Sequence, residues 1–385
     1  MTATAELLER HRPVVRYDSQ ESYFADSAAE WTDNPGNRLT RADGTAIAVA
    51  GHGLGLAFLG TSYPDGSVAA ATDAICSPAQ DYRERARALH ERPEYRNQFY
   101  GHAVLDGAGD LWLQYWFFYF YNDYNLIGHV LGAGLHEGDW ETVQLQLRDE
   151  APVRAVYAQH TAARASDWPG VELAPGTQRP IVYVARGSHA CYFKPGRHWT
   201  GHWFDHADGK RASPELELNV VVDGEHEWRW VRWPGTWGDT KPGENPLDSP
   251  SPPGPGAHEQ WDEPLALVER THARAAAAGA LPSPPPPPHI RAEWADGRIR
   301  VLYDALPAPD GEEAAGLAIT INSPDEHAPP TTEAFEIATR TGAVTVSAAA
   351  DPSHRYDIHA SSATVAGLAS DSVRADLSPI SPSGA

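Results

Sequence analysis

The chain has 385 residues, enough for about two or three ordinary domains, and a formal net charge of −22. No segment is rich in Lys or Arg, which argues against nucleic acid as a partner, because phosphate backbones are bound by basic patches. No stretch is apolar enough to cross a membrane, and the opening MTATAELLERHRPVV lacks the apolar core of a signal peptide. We therefore expect a cytoplasmic protein with no transmembrane segment, in which Cys76 and Cys191 are free thiols.

Composition divides the chain into two parts. Of the 13 tryptophans, only Trp294 lies beyond residue 262. The segment PSPPPPPH, which ends at His289, is typical of a stiff polyproline spacer. We predict an N-terminal domain over residues 1–280, a proline-rich linker over 281–289 and a C-terminal domain over 290–385.

The N-terminal part contains mainly strand patterns and no repeated βαβ pattern, which predicts a β-sandwich with a few helices. Leu111–Tyr121 is apolar or aromatic at almost every position and predicts a central strand covered on both faces. Helices are predicted within residues 79–92 and over residues 263–278. The other predicted strands are WETVQLQLR, VRAVYAQH, PIVYVARGSHACYF and HEWRWVRW.

The C-terminal part carries about seven short alternating segments bounded by turn residues, which is typical of a small β-sandwich. We predict an immunoglobulin-like or fibronectin type III-like fold for it. It contains no cluster of residues that points to catalysis, so we expect a spacer or docking role.

The residues that carry chemistry lie in HEGDWE, from His136 to Glu141. Side chains alternate between the two faces of a strand, so Asp139 and Glu141 share a face with the apolar Val143. That face meets the core, and burying an unpaired carboxylate costs several kcal/mol or forces a large pKa shift. The pair therefore needs a compensating partner: an arginine, a shared proton or a metal ion.

A metal ion is the favoured partner, because His136 adds a neutral nitrogen ligand beside the carboxylates. One histidine with carboxylates suits Mg²⁺, Ca²⁺ or Mn²⁺ and leaves Zn²⁺ or Fe open. Asp123, at the end of the aromatic strand, is the predicted additional ligand, although a plain turn residue is the alternative. A buried salt bridge or a proton-sharing carboxylate pair is the structural alternative to a metal.

Three further residues are candidates for acid–base chemistry. Glu137 lies within the motif, and His160 ends the strand VRAVYAQH, where it could also be a core histidine. His189 lies in GSHAC, two residues before Cys191. This spacing suggests a Cys–His nucleophile, but a buried inert thiol is the commoner case.

Several segments together resemble the vacuolar-protein-sorting-associated protein sixty-two family. They are RPVVRYDSQESYF, QYWFFYFYND, HEGDWE, VYAQH, GSHACYF and WGDTKPGENPLDSPSPPGP, and they span residues 10–265. HEGDWE followed by the GSHA segment is the specific part of the pattern. The resemblance implies the fold of this region and no defined biochemical activity.

The motif is also distantly similar to the necrosis- and ethylene-inducing-peptide-like cytolysins, which are β-sandwiches. The resemblance implies a divalent cation held by His136, Asp139 and Glu141, with Asp123 as a further ligand, and His160 as a second histidine of the pocket. In those cytolysins the ion engages sphingolipid sugar headgroups. Gly138 stands where they carry a second histidine, and they are secreted, which argues against membrane lysis by this chain.

Three hypotheses about function follow. The favoured one is a binding module, in which the ion coordinates oxygens of a small-molecule, glycan or lipid-headgroup ligand. The second is a metal-dependent enzyme, a hydrolase or a catalyst of rearrangement or cyclisation of a small intermediate, with Glu137, His160 or His189 as the acid–base group. A purely structural ion or salt bridge is the third. The sequence does not indicate the oligomeric state.

Overall fold

The structure is a computed structural model, and it describes residues 3–78, 82–92, 97–123, 135–200, 204–213, 215–238, 251–277, 285–286, 288–307, 313–322, 331–337, 339–347, 349–364, 370 and 373–379. These residues form two compact units. The first is built mainly from residues before 273, and the second from residues after 272 together with Arg197–Asp205. Most of the predicted linker lies outside the described residues, so the predicted domain boundaries stay a prediction.

The first unit is mainly β, as the sequence predicts. Its α-helices are α1 Ala3–His11, α2 Ala28–Thr32, α3 Tyr82–His90 and α4 Ala266–Ala277, the last of which extends past residue 272. Its strands are β1 Val14–Tyr17, β2 Arg38–Thr40, β3 Ala46–Ala50, β4 Gly53–Leu54, β5 Ala74–Cys76, β6 Gln98–Leu105, β7 Leu111–Asn122, β8 His136–Arg148, β9 Ala151–Gln159, β10 Ala162–Asp167, β11 Ile181–Val184, β12 Cys191–Tyr192, β15 Arg211–Ala212 and β16 Glu217–Val220. Strands β13 Gly196–Trp199 and β14 Phe204–Ala207 form a separate two-stranded sheet.

A six-stranded sheet in the order β10-β9-β8-β7-β6-β16 lies at the centre of the first unit. Its strand pairs are antiparallel except for the parallel pair β16 and β6. Strand β7 is buried along nearly its whole length. The predicted central strand covered on both faces is therefore confirmed, since apolar side chains at consecutive positions need cover on both sides.

One face of the central sheet packs against a four-stranded sheet in the order β12-β11-β1-β15. Val143 and Leu145 of β8 meet Val15 of β1, Val182 of β11 and Cys191 of β12 in one apolar core. Two sheets that bury their facing side chains form a β-sandwich, which confirms the predicted fold class.

The other face packs against the small sheet β4-β3-β2-β5 and a large aromatic cluster. Its tryptophans are Trp31, Trp116, Trp140, Trp230, Trp233, Trp237 and Trp261. Each of them is 5% exposed or less, so most tryptophans of the chain serve the core of this unit. The central sheet is thus covered on both faces.

A row of polar side chains also lies on this second face. Gln114 donates from Nε2 to Oε1 of Gln144 at 2.9 Å, and Gln144 donates from Nε2 to the carbonyl oxygen of Pro264 at 2.9 Å. Alternation along β8 predicts a polar face at Gln144, and the segment 251–277 covers it. The row is tolerated in the interior because its amide groups find hydrogen-bond partners.

In its described residues the second unit has strands β17 His289–Ala295, β18 Arg298–Asp304, β19 Ala314–Asn322, β20 Thr331–Glu336, β21 Thr341–Thr345, β22 Tyr356–Thr364 and β23 Val373–Leu377. They form a three-stranded sheet, β17-β18-β21, and a four-stranded sheet, β20-β19-β22-β23. Alternate residues of both sheets, such as Val301, Ile319 and Ile358, share one core. The predicted series of short strands is confirmed.

The segment HEWRWVRW is not a strand. Residues His226–Arg232 form a 3-10 helix, with the amide of Trp233 donating to the carbonyl oxygen of Trp230 at 3.0 Å. Trp230 and Val231 are consecutive and both buried, which a strand with alternating faces does not achieve on one core. The prediction from tryptophan and arginine alternation is wrong, because packing of the aromatic cluster overrides strand propensity.

The state of the cysteines and the hydropathy of the helices were also predicted from the sequence. Cys76 and Cys191 are both free cysteines. Among the helices that the structure describes, none combines the length and the hydropathy needed to span a bilayer.

Asp26 is an acidic side chain buried beside β7. It is 0% exposed, Oδ1 accepts from the amide of Ser27 at 2.6 Å, and Oδ2 has no hydrogen-bond partner among the described residues. Burial raises the pKa of Asp26 well above its usual value. A carboxyl group with a raised pKa in the folded state favours folding at low pH, and that contribution is lost as pH rises above the unfolded pKa.

We expect Asp26→Asn to stabilise the protein, because a neutral amide keeps the acceptor for Ser27 without the cost of a buried carboxylate. The gain should be about 1–3 kcal/mol near about pH 8 and should shrink towards about pH 4. Thermal unfolding at both pH values measures it. Glu6→Gln, at an exposed site on α1, is the control. A gain that does not grow with pH would show that Asp26 is not the responsible group.

Candidate functional site

The site lies at the start of β8, where the motif meets β7. Asp139 pairs with Tyr119 and Glu141 with Phe117, and both partners belong to the core between the two sheets. Both carboxylates are 6% exposed. Strand geometry thus places two acidic side chains in the interior, and each requires compensation there.

Asp139 is held by hydrogen-bond donors on both of its oxygens. Oδ2 lies 2.9 Å from Nδ1 of His189 and accepts from Nδ2 of Asn122 at 3.3 Å, while Oδ1 lies 3.4 Å from Nε2 of His136. Burial alone raises the pKa of Asp139, but the hydrogen bonds and charges of His136 and His189 outweigh it and hold that pKa well below its usual value. Histidines therefore supply compensation that the sequence argument assigned to an arginine, a shared proton or an ion.

His189 is fixed between two carboxylates. It is 0% exposed, and its ring stacks on Tyr119 with centroids 3.8 Å apart and an interplanar angle of 2°. Nδ1 faces Asp139, and Nε2 lies 3.9 Å from Oε1 of Glu21, beyond hydrogen-bond distance. The ring thus lies between Asp139 and Glu21, and it is shielded from solvent.

Glu21 is the site residue that reasoning from the sequence missed. Its carboxylate accepts from the amides of Ser22 at 2.7 Å, Tyr23 at 2.8 Å and Gly187 at 2.7 Å. It thereby ties the loop after β1 to the loop that carries His189. Glu21 lies inside the segment RPVVRYDSQESYF, which carries the family resemblance, but no spacing rule connects it with Asp139.

Glu137 and Glu141 lie in different surroundings. Oε2 of Glu137 accepts from the amide of Ser77 at 3.0 Å, so this carboxylate is directed to the end of β5.

Burial raises the pKa of the Cys191 thiol well above its usual value, and the charges of Glu141 and Asp139 raise it further. Both effects favour the protonated thiol, which agrees with the alternative of a buried inert cysteine.

Asp123 and His160 were predicted to border the pocket. The amide of Asp123 donates to the carbonyl oxygen of Gly187 at 2.9 Å, which brings the end of β7 to the loop of His189. His160 is exposed and occupies the turn between β9 and β10 with φ +56°. The structure thus places Asp123 beside the site and His160 in an exposed turn. The loop over residues 124–134 lies outside the described residues.

Gly138 explains the main departure from the cytolysin motif. Its φ is +56°, a conformation that L side chains rarely adopt, and an added Cβ would collide with the carbonyl oxygen of Trp237. The second histidine of the cytolysin motif has no room at this position. The motif therefore contributes only His136 as an imidazole on this strand.

The described ranges contain no group of three or more His, Cys, Asp or Glu side chains arranged so that it could hold a metal ion. Among the described residues the site offers one close pair, His136 and Asp139, with Asp123 and Glu141 as neighbours along the strands. An ion here would complete its coordination with water or with oxygens of a ligand.

The fold and the site define a β-sandwich domain with a buried carboxylate held between histidines. The family model for vacuolar protein sorting-associated protein 62 matches residues 1–208, and the chain belongs to this family. No curated protein matches the chain. One solved structure that matches, titled "Myokine structure", is 19% identical, covers 26% of this chain and 99% of its own length, and has a TM-score of 0.20, too low to support an argument.

We expect Gly138→Ala to destabilise the protein by about 2–4 kcal/mol, because the Cβ adds both a backbone strain and a steric clash. Chemical denaturation of the two forms measures the difference. Gly107→Ala is the matched control, since a Cβ there meets nothing within 4 Å. Equal stability of Gly138→Ala and the control would mean that the backbone at residue 138 differs from the one described.

We expect His189→Leu to cost about 3–5 kcal/mol of folding stability, because it leaves the Asp139 carboxylate buried with less compensation. His272→Leu, at an exposed position of α4, should change stability by about 0.5 kcal/mol or less. Thermal and chemical unfolding compare the two variants. If both histidines tolerate leucine equally, the contact of His189 with Asp139 does not contribute to stability as described.

Proposed function

We propose that the first unit binds a divalent cation between His136 and Asp139 and uses it to hold a polar ligand, the oxygens of a sugar, a phosphate or a lipid headgroup. Mg²⁺, Ca²⁺ and Mn²⁺ suit this oxygen-rich set, and Zn²⁺ or Fe would also accept the imidazole. The observation that carries the proposal is the position of Nε2 of His136, 3.4 Å from Oδ1 of Asp139.

Without an ion this contact is a long hydrogen bond, and the same distance suits two ligands of one ion. Hydrogen bonds between nitrogen and oxygen are normally about 2.7–3.2 Å long. Two atoms that each lie about 2.1 Å from one ion are roughly 3.0–3.4 Å apart in octahedral or tetrahedral geometry. The pair therefore has the spacing of neighbouring ligands without further movement.

The partners of Asp139 also support the proposal. His189 and Asn122 both approach Oδ2, which leaves Oδ1 directed at His136. Carboxylates that bind metals are themselves oriented by hydrogen bonds to groups behind them. His189 would then orient the ligand carboxylate, and its complete burial agrees with such a role.

A metal site with few protein ligands leaves coordination positions open for the bound molecule. Mg²⁺ is commonly held by one or two carboxylates, with waters and substrate oxygens in the remaining positions. Asp123, at the end of β7, and Glu141, farther along β8, would reinforce the negative field around the ion. The open positions would be filled by the oxygens of the bound ligand.

Binding is preferred to catalysis because the expected acid–base groups are poorly placed for it. Glu137 is hydrogen-bonded to the amide of Ser77, His160 is exposed in a turn, and His189 is 0% exposed. A general base has to reach the proton that it removes, directly or through one water. An enzyme would need a base from elsewhere at this site.

Titration of the full-length, metal-stripped chain with Mn²⁺, Ca²⁺ and Mg²⁺ by calorimetry tests the proposal. We expect one ion per chain, and His136→Ala should weaken its binding by about tenfold or more because a direct ligand is lost. His160→Ala is the matched control and should bind as the unaltered protein does. Unfolding temperatures without metal show that each variant is folded.

Two results would contradict the proposal. One is the absence of saturable binding of all three ions and of Zn²⁺ by the folded protein. The other is equal binding by His136→Ala and His160→Ala, which would place any ion elsewhere.

A further inference from the structure

A separate cavity of about 380 Å³ lies in the first unit, away from the residues of HEGDWE. It is formed by the loop before Tyr63 and by the segment that leads into the 3-10 helix His226–Arg232. Its lining residues include Thr61, Ser62, Asp223, Glu225, Arg229 and Arg232. The volume is in the range of small-molecule sites, and the two arginines decide what chemistry it could bind.

Arg232 is saturated by acidic partners. Nε and Nη2 contact the Asp223 carboxylate, while Nη1 and Nη2 each lie 2.7 Å from an oxygen of Asp262. Trp261 also donates from Nε1 to Asp223 at 3.2 Å. These two carboxylates more than balance the single positive charge of Arg232, so Arg232 is not available to a ligand.

Arg229 has a different set of partners. Nε donates to the carbonyl oxygen of Leu59 at 2.8 Å, and Nη2 donates to those of Phe58 at 3.3 Å and Ser62 at 2.9 Å. Nη1 has no hydrogen-bond partner, and the guanidinium has no carboxylate partner, among the described residues. The positive charge of Arg229 is therefore held in place by neutral groups only.

The backbone of the loop is shaped to receive this guanidinium. A Cβ at residue 60 would lie 2.9 Å from Nε of Arg229 and 3.3 Å from Cζ, so glycine is needed for the close approach. Carbonyl contacts on one edge of a planar guanidinium direct its other edge away from the loop. Because Arg229 lines the cavity, that edge, Nη1, is the one available to a bound molecule.

We propose that this cavity binds an oxyanion, the carboxylate or phosphate group of a small polar molecule, with Arg229 as its charged anchor. A guanidinium whose position is already fixed loses little side-chain freedom when it pairs with such a group. The side chains of Thr61 and Ser62 are exposed in the same cavity and bring hydroxyl donors. This site is independent of the cation site proposed above.

Glu225 sets the limit on affinity. It lines the same cavity and is exposed, and no salt bridge of the described residues neutralises it. A like charge near the anchor opposes an anion, and the net charge of −22 adds to this repulsion. The site should thus bind a simple anion weakly, and removal of the Glu225 charge should strengthen binding.

Calorimetric titration of the full chain with inorganic phosphate and, separately, with malonate tests the proposal. Ser62→Asp places a competing carboxylate beside the guanidinium and should weaken binding by about tenfold or more. Leu105→Asp is the matched control, since it adds the same charge at a site that is 63% exposed and outside the cavity. Glu225→Gln should tighten binding several-fold, and less so at high salt.

Binding of phosphate alone, of malonate alone or of both supports the oxyanion site and identifies the preferred group. Arg229→Lys should bind more weakly if it folds, and Ser62→Asp and Glu225→Gln decide the question if it does not. Absence of saturable binding of either anion would overturn the proposal. Equal affinity in Ser62→Asp and Leu105→Asp would do so as well, because the anion would then bind elsewhere.

Discussion

The buried carboxylate of Asp139 is the constraint around which this domain is organised. A charge that is 6% exposed cannot rely on water, so the fold must bring hydrogen-bond donors to it. Those donors come from the end of β7, from the start of β8 and from the loop before β12. Glu21 then extends the network to the loop after β1, and four separate segments are joined through a few polar contacts.

The sequence predicted the parts of this arrangement that depend on local periodicity. Alternation along β8 was sufficient to direct Asp139 and Glu141 inward, and the unbroken apolar run of β7 was sufficient to make it central. The partners were harder to find. The pairing of His189 with Asp139, and of Glu21 with the His189 loop, follows from how β1, β8 and β11 stack, which no residue spacing encodes. The 3-10 helix at His226–Arg232 was mistaken for a strand, since its tryptophans pack into a cluster assembled from distant segments.

At several places in the structure, buried or partly buried polar and charged side chains are satisfied by hydrogen bonds or opposite charges. Gln114 and Gln144 are satisfied by each other and by backbone carbonyls, and Arg232 is satisfied by two carboxylates. Arg229 departs from this pattern, because carbonyl oxygens hold its guanidinium and no carboxylate of the described residues pairs with it. A charge without an opposite partner is a physical reason to look for a bound molecule at that point.

The reach of these contacts along the chain has a consequence for folding kinetics. The bond from Gly187 to Glu21 closes a separation of 166 residues, and that from His189 to Asp139 closes one of 50. A non-local contact offsets the entropy cost of closing its loop only after the intervening chain is ordered. We therefore expect the polar network to assemble late, after the hairpin of β7 and β8 has formed. During synthesis, Asp139 has no His189 partner until the chain has been extended past residue 189. Until then, water has to solvate the carboxylate of Asp139.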